Sequence, residues 1–222
     1  MNTRPDAITV LCYGDSNTWG QTPDKSGRYP ANVRWTGKLQ DTLGSAYEVI
    51  EEGLNSRTTD LDYGPERPGR NGKPYLLPCL VSHNPLSYVV VMLGTNDLKL
   101  QFDRSAAHIT GALGGLVEDI KTYGKDAAGQ PPRIILVSPI LVDETAARFA
   151  AFNAGYYDHD SVSKSQQLAG QIGELANQTG CLFVDAATVA HAGDDGIHFD
   201  EPSHGALGEL LAKTILADQG AK

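Results

Sequence analysis

The chain has 222 residues, 41% hydrophobic and 20% charged, which excludes wholesale disorder and allows one or at most two domains. Its 18 Lys and Arg against 27 Asp and Glu leave a net charge of −9, which excludes nucleic acid as a general partner and weighs against a polyanionic substrate. Three widely spaced cysteines, Cys12, Cys79 and Cys181, with no CxxC pair, argue against a disulfide framework and a thiolate zinc centre.

Residues 1–6 are polar, and the apolar run that follows is interrupted by Thr9. This start resembles neither a secretory signal nor a membrane span, so the expected location is the cytoplasm, with no membrane partner. Strands are predicted at residues 8–13, 47–51, 88–93, 133–137 and 181–184. Most are continuous apolar runs, the pattern of strands buried on both faces of a parallel sheet. Cys12 and Cys181 fall within such runs and read as small core residues. Helical spacing marks residues 33–43, 106–123, 163–179 and 205–217. The alternation predicts βαβ units in a single domain over 1–222: a three-layer α/β/α sandwich, flavodoxin-like, with about five parallel strands. Residues 21–32 and 60–74 are rich in Gly, Pro and charge and read as surface loops. Residues 139–160, with Phe149, Phe152, Tyr156 and Tyr157, form an irregular stretch long enough to cover a site or an interface.

Ligands of open parallel sheets bind beyond the carboxyl ends of the strands. Three of the loops expected there carry chemistry. The first reads Tyr13-Gly14-Asp15-Ser16-Asn17-Thr18-Trp19-Gly20. A serine on a sharp strand-to-helix turn exposes its hydroxyl, although a helix-capping serine has the same local look. The second reads Gly94-Thr95-Asn96-Asp97, where Asn96 offers a neutral donor for an oxyanion or makes an Asx-turn. The third reads Asp194-Asp195-Gly196-Ile197-His198, with Asp195 three residues before His198. That spacing lets the carboxylate hold imidazole Nδ1–H and leaves Nε2 facing outward. A metal at His191 lacks converging ligands, and no metal or organic cofactor is expected. No Walker, GxGxxG or GxSxG motif is present. Together the loops supply a nucleophile, an oxyanion donor, and a base with its orienting acid. A non-catalytic flavodoxin-like binding module is the competing reading, disfavoured by the negative charge of Asp15 where a phosphate would sit. His204, beside Ser203 and after Pro202, reads as part of a helix start.

Here the chain resembles the SGNH, or GDSL-like, hydrolases. Gly14-Asp15-Ser16, Gly94-Thr95-Asn96-Asp97 and Asp195-Gly196-Ile197-His198 match three of the family's blocks in order, and the βα alternation agrees over nearly the whole chain. The likeness is closest to bacterial arylesterase and acyltransferase-like members, whose second block is similar to Glu51-Glu52-Gly53-Leu54-Asn55-Ser56-Arg57-Thr58-Thr59. The resemblance implies a serine esterase of small aryl or acetyl esters with Ser16, His198 and Asp195 as its triad. A carbohydrate O-acetylesterase on the same fold is the alternative. It implies an oxyanion hole of Ser16, Asn96 and an amide in the second block, either Ser56 or Gly53. It implies a homo-oligomer as well. Asn17 stands where the family name has leucine and is expected to line the turn, with tolerance of left-handed backbone. Asp15, Asn17 and Trp19 are expected near the substrate, Trp19 either as a wall of the acyl pocket or as helix-packing core.

Overall fold

In each strand, successive side chains point to opposite faces, so a run that is apolar throughout needs a layer on both sides. The structure, a computed structural model, describes residues 4–221 and has this arrangement. Five strands, β1 (Ile8–Gly14), β2 (Tyr47–Gly53), β3 (Tyr88–Met92), β4 (Arg133–Ser138) and β5 (Leu182–Asp185), form one sheet in the order β2-β1-β3-β4-β5. Every pairing is parallel. Seven helices intervene or flank: α1 (Ser16–Trp19), α2 (Trp35–Leu43), α3 (Gly72–His83), α4 (Ala106–Tyr123), α5 (Phe149–Phe152), α6 (His159–Thr179) and α7 (Glu201–Gly220).

The parity of the strand residues sorts the core into two. Leu11, Tyr13, Val89, Val91, Ile134 and Leu136 pack with Leu76 and Leu80 of α3, Ile109 and Leu113 of α4 and Leu168 of α6. Val10, Cys12, Val90, Met92, Ile135 and Val137 pack with Trp35 and Leu39 of α2 and Leu207, Leu211 and Ile215 of α7. This is the expected α/β/α sandwich. Each fully buried Leu, Val or Ile contributes about 1.5–3 kcal/mol relative to an exposed one, so both layers are fastened by many independent contacts.

Four expectations change in detail. The stretch 60–74 is not loop to its end, because α3 begins at Gly72. Asn71 caps it by accepting from the Lys73 amide, and Pro74 lies in the first turn, where a missing N–H costs nothing. Pro78 lies inside the helix, so α3 exists in spite of its sequence, held by burial of Leu76, Cys79 and Leu80. Helix α6 starts before residue 163, through a capping box between Asp158 and Ser161. Helix α7 starts at Glu201, under an Asp200 cap that accepts from Ser203, and includes His204. Cys181 is only half-buried, whereas Cys12 and Cys79 are buried; all three are free thiols. Among the described residues, no helix is long and apolar enough to cross a membrane.

Candidate active site

Gly14 and Gly53 end β1 and β2 side by side in register. A Cβ on Gly14 would lie 2.1 Å from Thr18 Oγ1, and one on Gly53 would lie 2.2 Å from the Trp19 amide. Only glycine lets α1 fold back this tightly on the strand ends. Asp15 caps α1 by accepting from the Asn17 amide, and Ser16 opens the helix. Gly20, at φ +89°, closes it.

The turn after β5 brings the partners. Asp195 Oδ1 accepts from the Ile197 and His198 amides, which fixes its carboxylate at the start of the turn. Gly196 takes φ +78°, and a Cβ there would meet the Asp143 carbonyl oxygen at 2.1 Å. Asp195 Oδ2 lies 2.5 Å from His198 Nδ1, and His198 Nε2 lies 2.9 Å from Ser16 Oγ. All three residues are buried or nearly so, at 0%, 7% and 9% exposure for Asp195, His198 and Ser16, so solvent does not compete for these bonds. With Nδ1–H donating to the carboxylate, Nε2 is the acceptor for the serine proton.

Asn96 follows β3. Its Nδ2 donates to the Arg57 carbonyl at 3.1 Å and to Asp15 Oδ2 at 3.3 Å. Ser16, Ser56, Asn96 and His198 share the wall of one cavity of about 180 Å³. Gly53 does not line it, and its tight packing under Trp19 makes it a close-approach residue. Ser56 holds φ +65°, a left-handed conformation that costs a non-glycine residue about 1–3 kcal/mol and marks a constrained position.

Three expected contact residues are placed differently. Asp15 is 2% exposed and spends both oxygens on Asn17 and Asn96, so it positions the asparagine and does not face a ligand. Burial holds its carboxyl above the usual range, against the Asn17 amide bond and the nearby His198. Asn17 lies within helical α1, with no left-handed backbone. Its Nδ2 donates to the Ile197 carbonyl and its Oδ1 accepts from the Phe199 amide, tying the serine turn to the histidine turn. A leucine could not make that clamp. Trp19 is half-buried, lies outside the cavity wall and carries the Arg28 guanidinium 4.9 Å above its ring. It is neither pocket wall nor buried core.

Sequence reasoning passed over several supporting groups. Arg57 is buried, donates to the Gly14 and Glu52 carbonyls and stacks 4.1 Å over Tyr13, pinning β1 to β2 at the site. Asp97 is buried, accepts from Thr59 N and Oγ1, and is pushed up to about 7 by burial. Asn153 donates to the Asp195 carbonyl at 2.6 Å, and the Arg148 amide donates to the Asp194 carbonyl at 2.7 Å. Stretch 139–160 thus braces the Asp195 turn, while its Asn153, Tyr156 and Tyr157 line the cavity. The length of that stretch was the available signal; for Arg57 there was none. Away from the serine, Glu52, Cys79 and His83 form the one group of three metal-ligating side chains among the described residues. His83 and Glu52 already pair at 3.2 Å, and burial pushes the Cys79 thiol up to about 12, which keeps it protonated.

The profile of the GDSL-like lipase/acylhydrolase family matches residues 12–206, and the chain belongs to that family. A carbohydrate acetylesterase family member from Sinorhizobium meliloti is 38% identical, with a TM-score of 0.87 over 96% of this chain and 99% of that one. The native M. smegmatis aryl esterase is 38% identical, with a TM-score of 0.85 over 95% of this chain and 99% of that one. Among curated protein sequences nothing matches. Fold, family and neighbours make the chain an SGNH-type carboxylic ester hydrolase.

Proposed function

We propose that the chain hydrolyses small aryl or short-acyl esters through an acyl-enzyme on Ser16. The observation that carries this is the continuous relay Asp195–His198–Ser16, at 2.5 and 2.9 Å, opening on a cavity. His198 Nε2 takes the Ser16 proton as Oγ attacks the ester carbonyl, and Asp195 holds the tautomer and steadies the imidazolium. The Ser16 and Ser56 amides hold the oxyanion together with Asn96 Nδ2, one of whose two protons turns to it from the longer bond to Asp15. When the tetrahedral intermediate collapses, the imidazolium gives its proton to the leaving alcohol. Water, activated by His198, then cleaves the acyl-enzyme; an alcohol acceptor in its place gives acyl transfer.

Carbohydrate O-acetyl esters are the second reading, favoured by the S. meliloti neighbour. Rates on an acetylated sugar against p-nitrophenyl acetate separate the two. Assembly into a homo-oligomer is part of the proposal, supported by the family resemblance and by exposed Leu141 and Tyr156; sedimentation velocity tests it. The central experiment is p-nitrophenyl acetate hydrolysis by wild type and by Ser16→Ala, with folding checked by circular dichroism. The variant should lose at least about 10⁴-fold in kcat. A folded Ser16→Ala with wild-type activity would remove the serine from the mechanism.

A further inference from the structure

The cavity at Ser16 is lined by three cationic side chains, Lys25, Arg67 and Lys99, and by no carboxylate. In a chain of net charge −9 this is a local reversal of sign. Among the described residues none of the three makes an ion pair. Other cations of the chain do: Arg34 with Glu51, Arg104 with Asp60 and Arg133 with Asp218. The three instead rest on neutral groups. Lys99 is 7% exposed; its Nζ donates to the Tyr63 hydroxyl at 2.9 Å and lies 5.2 and 5.7 Å from the rings of Tyr63 and Tyr156. Arg67 Nη1 donates to Ser56 Oγ at 3.3 Å. Lys25 Nζ donates to Asn153 Oδ1 at 3.1 Å and to the Phe152 carbonyl at 3.2 Å.

The nearby carboxylates are already engaged, Asp15 by Asn96 and Asn17, Asp97 by Thr59, and Asp195 by His198. A further donor waits in the same wall: Tyr157 is 1% exposed and its hydroxyl has no hydrogen-bond partner among the described residues. Of the three cations, Lys99 is buried, Arg67 is half-buried and Lys25 is exposed. A buried cation without a counter-charge is costly to a folded chain, and a bound anion offsets that cost through charge-assisted hydrogen bonds.

We propose that the ester cleaved at Ser16 carries a second, anionic group, a carboxylate or similar monoanion, held by Lys99, Arg67 and Lys25. The idea rests on the esterase reading above and narrows its substrate class. The anion belongs either to the acid or to the alcohol half of the ester, and two matched pairs distinguish these. Monoethyl glutarate and its neutral amide place the charge on the acid side. 4-Acetoxybenzoate and 4-acetoxybenzamide place it on the alcohol side.

kcat/KM is measured at pH 7 for all four and for p-nitrophenyl acetate, with wild type, Lys99→Met, Arg67→Gln and Lys99→Arg, each checked for folding. In at least one pair the anionic ester should be preferred about tenfold or more, and Lys99→Met and Arg67→Gln should each lower that ratio about tenfold. Lys99→Arg should keep most of it. From pH 7 to pH 9 the wild-type ratio should fall. Lys99 sits at about 8 because burial and Arg67 lower it against Asp15, with Lys25 and Asp97 as lesser influences, and so it sheds its charge in that range. The Lys99→Arg ratio should stay flat.

Equal rates within both pairs would overturn the proposal. So would an equal loss on charged and neutral members in the variants, which would assign the cations to the oxyanion. Cleavage of p-nitrophenyl acetate with neither anionic ester touched would overturn it and leave the esterase reading standing. No cleavage of any ester would remove both.

Discussion

Two hollows border the segment that carries His198, and they have opposite characters. The one at Ser16 measures about 180 Å³ and has Lys25, Arg67 and Lys99 in its wall. The other is an open cleft of about 570 Å³ with Asp24, Asp143, Asp194, Asp200 and His191 in its wall and no Lys or Arg. The larger hollow holds none of the relay residues. Volume therefore does not mark the site; the placement of nucleophile, base and donors does. Nor does net charge describe it. A total of −9 weighed against a polyanionic substrate, yet the wall of the cavity where an ester would react carries cations and no carboxylate.

The contrast between the hollows can be broken in steps of decreasing size. Asn96→Ala removes the side-chain donor proposed for the oxyanion from the small cavity and should cost about 10²–10³ in kcat on p-nitrophenyl acetate, with the fold retained by circular dichroism. Activity near wild type would remove Asn96 from the oxyanion hole.

Acid should act next, and on the fold that keeps the hollows apart. His204 is fully buried, and its Nδ1 accepts from the Trp35 amide, so it is neutral in the native state. Burial lowers it from 6.5 to about 4, with the nearby Asp200 pulling the other way. A depressed native value means that this stability is present above about 6.5 and is lost as pH falls toward 4. The loss reaches about 3 kcal/mol at most. Urea midpoints measured between pH 7 and pH 4 should show it, and His204→Gln, which keeps an acceptor for Trp35, should flatten the slope.

Ser56→Gly should change kcat by less than about fivefold. The amide remains, and glycine suits φ +65° without strain. A loss as large as that of Asn96→Ala would mean that the Ser56 hydroxyl, bonded to Arg67, contributes more than the amide. The smallest effect belongs to the large cleft. Asp194 is exposed, and Asp194→Asn should alter the anionic-to-neutral preference by less than about twofold, since its charge is screened by solvent. A change as large as that in Lys99→Met would show that the two hollows act as one field.

Much of the fold was legible because burial on both faces writes a strand as an unbroken apolar run. Val89-Val90-Val91 in β3 and Ile134-Ile135-Leu136 in β4 are such runs, and strand placement came within two residues at every edge. Helix α3 was hidden because Gly72, Pro74 and Pro78 are helix breakers locally, and only tertiary packing overrides them. Ser16, Asn96, Asp195 and His198 were legible because each lies in a loop that follows the carboxyl end of a strand, directly for Ser16 and Asn96 and after a longer stretch for Asp195 and His198. The direction of a short polar side chain was not. Asp15 and Asn17 flank the serine in sequence, yet both turn inward to hold the site's loops together. The cationic wall was invisible for a related reason: Lys25, Arg67 and Lys99 come from three separate loops and converge only in space.

The clamp made by Asn17 spans the chain almost end to end, joining residue 17 to residues 197 and 199. A contact of such long sequence separation carries a large loop-closure cost until the intervening strands have paired. Catalytic competence is therefore a late event on the folding route. Helical signal on refolding should return before turnover does, which makes esterase activity a built-in clock for the final closure of the domain.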